Sequence, residues 1–159
     1  MDECLVGWWE ADYFVLGEQY MEMLGATGIQ MTGNSYMRLS EPDRGEYFVY
    51  SLGLEPTIPG TPPMRVTLNG GGDFGMDATE GVFLAVMGVF NYTASVYSPI
   101  LGEMDIPLDN NTHPFGGGAG GYVCTDESLE FTQGADTVRP NSVIKRWLRI
   151  DIDPRTEGL

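Results

Sequence analysis

Basic residues are scarce in this chain: 8 Lys and Arg stand against 23 Asp and Glu in 159 residues, a formal net charge of −15 at pH 7. Lys145 is the one lysine and His113 the one histidine. A surface of that sign repels phosphate backbones, which argues against nucleic acid as a partner, and it repels anionic bilayers in the same way. The acidity suits solubility in a salty or extracellular medium; the narrower reading of it is a divalent-cation surface. Long apolar runs are also missing. No stretch nears the ~20 residues that cross a bilayer as a helix, so no membrane insertion is expected. No basic segment followed by an apolar one opens the chain, as a secretory leader would. Cysteine is limited to Cys4 and Cys124, in neither a CxxC nor a zinc-binding spacing.

What is present is turn chemistry. The 22 glycines and 10 prolines punctuate the whole chain rather than one linker, which suits many short strands joined by turns. With 42% apolar residues, the length makes one domain over 1–159, its barrel at about 3–152 and a short tail at 153–159. Cys4 to Asp12 reads as a first strand, with Leu5, Gly7, Trp9 and Ala11 on one face by the period of two. From Tyr13 to Leu24, Phe14, Gly17, Met21 and Leu24 recur at helical spacing, and Gly25 ends the pattern. Helical spacing then disappears. Ser35–Leu39 and Glu46–Leu52 read as a hairpin about Glu41–Gly45, and the proline-rich run Glu55–Pro63 as a loop. Met64–Asn69 alternates cleanly, and Gly70–Gly72 allows a bend or bulge before a further strand at Asp73–Ala78. Val82–Phe90 is apolar on both faces, which predicts burial on both sides. Asn91–Tyr97 continues or pairs with it. Ile100–Gly121 reads as loop, Tyr122–Thr125 and Leu129–Gln133 as a hairpin, and Ser142–Ile152 as the longest alternating strand, with Ile144, Leu148, Ile150 and Ile152 on the face that holds Arg146. Eight to ten short strands and one helix, without repeats, predict an all-β antiparallel barrel of the up-and-down kind. A first and a last strand that pair would close the sheet and remove its edges.

The segment Cys4-Leu5-Val6-Gly7-Trp8-Trp9-Glu10 resembles the opening strand of a bacterial lipocalin-like, calycin-type barrel family, and its Gly7-Trp8-Trp9 satisfies the lipocalin G-x-W. Tyr122-Val123-Cys124 with Leu129-Glu130-Phe131 looks like that family's C-terminal hairpin, and Val66-Thr67-Leu68-Asn69-Gly70 like one of its barrel strands. The resemblance implies a bridge between Cys4 and Cys124, from the first strand to a late one, and a secreted or cell-surface protein; the alternative is a cytosolic protein with two buried free thiols, and the expected bridge favours a leader removed before Met1. A bridge closing about 120 residues contributes on the order of 4–5 kcal/mol in the chain-entropy picture, and such bridges persist in oxidising compartments. In lipocalins an arginine of the last strand packs across the tryptophan of the G-x-W. By parity Arg146 takes that place over Trp9 here, with Arg149 next if the register slips. Gly7, one inward step before Trp9, leaves room for a bulky neighbour.

No catalytic set emerges, and no enzyme is expected. His113 sits beside the run Gly116–Gly121, a poor holder for a general base. The pairs Asp73/Asp77, Asp105/Asp109, Asp126/Glu127 and Asp151/Asp153 read as solvated turn acids. Asp105, Asp109 and Asn110 offer oxygens, but no calcium-loop pattern frames them. The glycine tracts lack the Lys-Ser/Thr of a phosphate loop. No metal or cofactor is predicted. Asn91 and Asn110 stand in glycosylation sequons. The expected function is a non-catalytic extracellular barrel with a small apolar ligand in its interior, contacted by Trp9, Phe14, Tyr20, Met21, Leu68, Leu84, Val86, Phe90 and Leu148. The alternative is a structural or interaction module of an extracellular assembly, with a packed core and a protein partner or self-association; an apolar patch on the barrel's outside would favour it.

Overall fold

The structure, a computed structural model, describes residues 1–106, 118–133 and 143–157. A 3-10 turn at Glu3–Leu5 leads into strand β1 (Gly7–Ala11), where Trp9 and Ala11 are buried and Trp8 and Glu10 face the other way. Asp12 stops the strand by capping the helix after it: its Oδ1 accepts from the Phe14 and Val15 amides at 3.1 and 3.3 Å, which satisfies donors that a helix start leaves open. Helix α1 (Tyr13–Leu24) then runs as the spacing predicts, and Gly25 ends it in the left-handed conformation, at φ 64°. Leu16 and Tyr20 bury its inner side, and Gly17 brings its backbone close to Ile29 and Met31.

Four long strands follow in meander: β2 (Gly28–Ser40), β3 (Arg44–Thr57), β4 (Arg65–Thr79) and β5 (Val82–Ser98). They exceed the sequence expectation because bulges interrupt the pattern without ending the pairing. Register shifts fall at Thr32/Asn34, Val49/Leu52 and Gly72/Phe74. The first two are the two sides of one bulge near Ser51 of β3, where the inward parity changes from Tyr47 and Val49 to Leu52 and Leu54, and the third is a bulge in β5; each adds the local twist that curls a sheet into a barrel. Gly70–Gly72 therefore lies inside β4, and Glu55–Thr57 of the proline-rich run inside β3. The segment read as loop at Ile100–Gly121 contains β6 (Gly102–Ile106) and the start of β7 (Gly118–Cys124). β7 pairs with β8 (Ser128–Gln133), and β8 with β9 (Arg146–Ile150). β9 has five residues, so it is not the longest strand; β5, with 17, is.

β1 pairs with β2 on one side and with β9 on the other, Trp9 standing opposite Met37 and Arg149. Strands β1, β2, β3, β4, β5, β7, β8 and β9 thus close an eight-strand antiparallel barrel, and β6 adds to β5 alone. The first and last strands of the sheet find each other, and the ring has no open seam there. The core fills the interior from both ends: Trp9, Leu39 and Leu129 near the start of β1, Leu52, Leu54 and Leu68 further up.

Candidate functional site

The closed end of the barrel grows out of Gly7. Its φ is 140°, and a Cβ there would lie 2.7 Å from Nη1 of Arg149. Only a residue without a side chain leaves the guanidinium that space. Arg149 lies over the Trp9 indole with its guanidinium carbon 4.1 Å from the ring centroid. Its Nε donates to the Asp126 carbonyl at 2.9 Å, Nη1 to the Val6 carbonyl at 3.1 Å and Nη2 to the Cys4 carbonyl. One side chain so ties the last strand to the opening turn and to the β7–β8 turn, and satisfies three carbonyls that strand pairing leaves over. Beside it Cys4 and Cys124 form a disulfide across 120 residues of sequence. The Tyr122 hydroxyl donates to Asp2 in the same region.

Arg146 is not the residue over Trp9. It lies on the outer face, its Nε 3.1 Å from Asp12 Oδ2 and its Nη1 2.6 Å from Glu130 Oε1. The parity reading failed because Ile144 is buried ahead of the strand, not in it. The alternation starts at Arg146, so Trp147 and Arg149 face in, and Arg146, Leu148 and Ile150 face out. Leu148 is therefore outside the interior it was expected to line.

Between the ends the interior carries hydroxyls. Tyr20, Tyr47 and Tyr92 lie close together. The Tyr47 hydroxyl donates to Ser35 Oγ at 3.1 Å, and its ring packs 6.1 Å from Tyr92 and 6.3 Å from Trp147. Burial raises the pKa of all three phenols above the ordinary 10.0, and their mutual repulsion as phenolates adds to the shift of Tyr20 and Tyr92. For Tyr47 the bond to Ser35 offsets part of the burial effect.

The opposite end is built from α1, the start of β2, the end of β3, the β3–β4 loop and the end of β5. Gln19 fastens the helix there: its side-chain amide donates to the Val143 carbonyl at 3.0 Å and accepts from the Lys145 amide at 2.9 Å. A cavity of about 660 Å³ opens at this rim, with Ile29, Pro56, Ile58, Met64, Tyr97 and Pro99 as its apolar lining. Gln30, Glu55 and Arg65 supply polar groups to the same hollow. That combination, a mostly apolar concavity with a few polar groups, is what small-molecule sites share.

Of the nine residues expected to contact a ligand, none of the eight whose side chains the structure describes lines this cavity. Trp9 seals the far end. Tyr20 and Leu68 are interior, and Met21 is half-buried on α1. Phe14 points away from the barrel at 83% exposure. Leu84 and Val86 are more than half exposed on the outer face of β5, and the Phe90 side chain lies outside what the structure describes. The prediction of burial on both sides of Val82–Phe90 is corrected accordingly: Phe83 is buried, whereas Val82, Leu84 and Val86 face out. The sequence signal for the cavity was the proline-rich run itself, read as a connection but not as a wall.

His113, Asp109 and Asn110 lie outside the described residues. Asp105 is exposed on β6. Asp73 and Asp77 project from the outer face of β4, and Asp126 and Glu127 lie exposed in the β7–β8 turn. Asp153 is held by Arg155, whose guanidinium keeps its carboxyl below the ordinary range. Among the described residues no three His, Cys, Asp or Glu side chains converge on a metal position. No helix among them is long and apolar enough to cross a membrane.

No family model, curated protein or solved structure matches this chain. The closed eight-strand barrel with one helix after its first strand is compatible with the lipocalin-like resemblance, and it is this geometry that carries any functional reading.

Proposed function

We propose that this chain is a non-catalytic, extracytoplasmic lipocalin-like barrel that binds a small apolar molecule at its helix end. The observation that carries the reading is the cavity of about 660 Å³ between the β3–β4 loop and the end of β5. Its volume suits a drug-sized molecule, and Met64 and the prolines give it a wall that is adaptable at one point and stiff at the others. The Cys4–Cys124 bridge supports an oxidising compartment. A retinoid-like or fatty-acid probe retained in native mass spectrometry is the expected result, with retention reduced in Met64→Glu and Tyr97→Ala. Uniform absence of retained probe, or retention unchanged in both variants, overturns the site.

A further inference from the structure

Strand β5 carries a row of exposed apolar side chains along the barrel's outer face. Val82, Leu84, Val86 and Val89 occupy its successive outward positions, and each is more than half exposed. The register shift at Gly72/Phe74 keeps Val89 in phase with the others. On the β7 side Ala119 stands opposite Leu84 and Gly121 opposite Val82, with Val123 exposed one step beyond. These small neighbours leave the branched side chains as a ridge. On the β4 side the outward residues are Thr79, Asp77, Gly75 and Asp73, and Glu80 stands in the β4–β5 turn. Asp73, Asp77 and Glu80 enter no ion pair among the described residues, although Arg44 stands in register with Gly75 on the neighbouring strand. On the far side of the barrel the apolar groups are less open: Leu148 and Ile150 of β9 are half-buried beside the Glu130–Arg146 pair, and Trp8 and Phe48 lie under Arg155, at 5.0 and 5.4 Å.

We infer that the β5 ridge is a docking surface for a cationic amphipathic segment of a partner polypeptide, with apolar side chains on the ridge and Lys or Arg against Asp73, Asp77 and Glu80. Contiguous exposed apolar surface with a polar border marks an interaction site, and complementary charge selects the partner and speeds encounter. The same acidity disfavours a second copy of this chain, whose matching rim is also negative. The inference is independent of the cavity, because the ridge lies on the outer face and the cavity at the helix-end rim.

The test uses the whole chain and three peptides: one alternating Leu/Val with Lys, its Glu-for-Lys analogue, and a Lys peptide without apolar residues. Binding is read by fluorescence anisotropy and mapped by amide chemical shifts. The amphipathic Lys peptide is expected to bind with shifts centred on Val82–Val89. Leu84→Ser is expected to weaken it about tenfold, an effect of the size a well-placed interface residue shows, and Asp77→Asn to weaken it severalfold at low salt. The melting temperature of both variants should match the parent, since neither side chain is buried. Equal binding of the Lys peptide without apolar residues, binding unaffected by Leu84→Ser, or no binding overturns the inference. So does a dimer in sedimentation that Leu84→Ser converts to monomer, which assigns the ridge to self-association. Co-sedimentation with phosphatidylcholine vesicles that Leu84→Ser abolishes assigns it to a lipid surface instead.

Discussion

The two ends of the barrel are built on opposite principles. At one, Trp9, Arg149 and the Cys4–Cys124 bridge converge, and a single guanidinium serves the carbonyls of Cys4, Val6 and Asp126. At the other, α1 is fastened through Gln19, and the β3–β4 loop stands off the rim to leave a cavity. Contacts that stabilise are concentrated where there is no room for a ligand, and room is found where few contacts are at stake. The difference teaches where to expect tolerance: substitutions at the closed end should act on folding, and those at the rim should cost little stability while changing the binding proposed there.

The largest expected effect breaks the closed end covalently. Replacing both cysteines with serine should cost on the order of 4–5 kcal/mol, the loop-closure value for about 120 residues, read as a drop in the urea midpoint. An unchanged midpoint would remove the bridge from the account. Trp9→Ala comes next, at about 3–5 kcal/mol for a fully buried indole. Arg149→Gln should cost about 2–3 kcal/mol, because it removes both the cation over the indole and charged donors to the partly buried carbonyls of Cys4 and Val6. Arg149→Lys should recover little, since an ammonium lacks the fork that reaches several carbonyls at once. Arg146→Gln, on the outer face, should cost less than about 1 kcal/mol; the reverse order of these two arginines would restore the parity reading.

Between the ends the tyrosine cluster predicts a pH dependence. The folded-state pKa values of Tyr20, Tyr47 and Tyr92 lie above the ordinary 10.0, so the unfolded chain gives up these protons first. The cluster's contribution is therefore full below about pH 9 and is lost as pH rises through about 10 and beyond. Phenolate absorbance from these three rings should appear together with unfolding, and early, reversible ionisation in the folded state would contradict their burial. The smallest effect belongs to the rim. Met64→Ala should change stability by no more than about 0.5 kcal/mol, as surface substitutions do, while altering retention of an apolar probe.

Much of this architecture was legible in the residues. The helix from Tyr13 to Leu24 announced itself by spacing and by Gly25. The inward phase of the first strand was marked by Trp9 and Ala11, and the barrel by turn residues at short intervals. The illegible part had one physical source: an alternating pattern reports parity only within an unbroken strand. The bulge in β3 near Ser51, which shifts register against both β2 and β4, and the bulge in β5 opposite Gly72/Phe74 let strands run on that the pattern had shown as short. The late start of β9 exchanged Arg146 for Arg149. The apolar run at Val82–Val89 could not reveal that one of its sides has no cover among the described residues, because sequence records apolarity and not what lies against it. The cavity, assembled from three separated stretches (28–30, 55–65 and 97–99), left only the proline run as a trace.

Closure of the sheet by its first and last strands is the claim on which both ends depend. Cross-strand nuclear Overhauser contacts in the oxidised protein test it most directly. Contacts linking the backbone of Trp9 with Arg149, and of Ala11 with Trp147, are predicted from the register of β1 and β9. Their absence, with β1 amides exchanging freely along the side that faces β9, would contradict it.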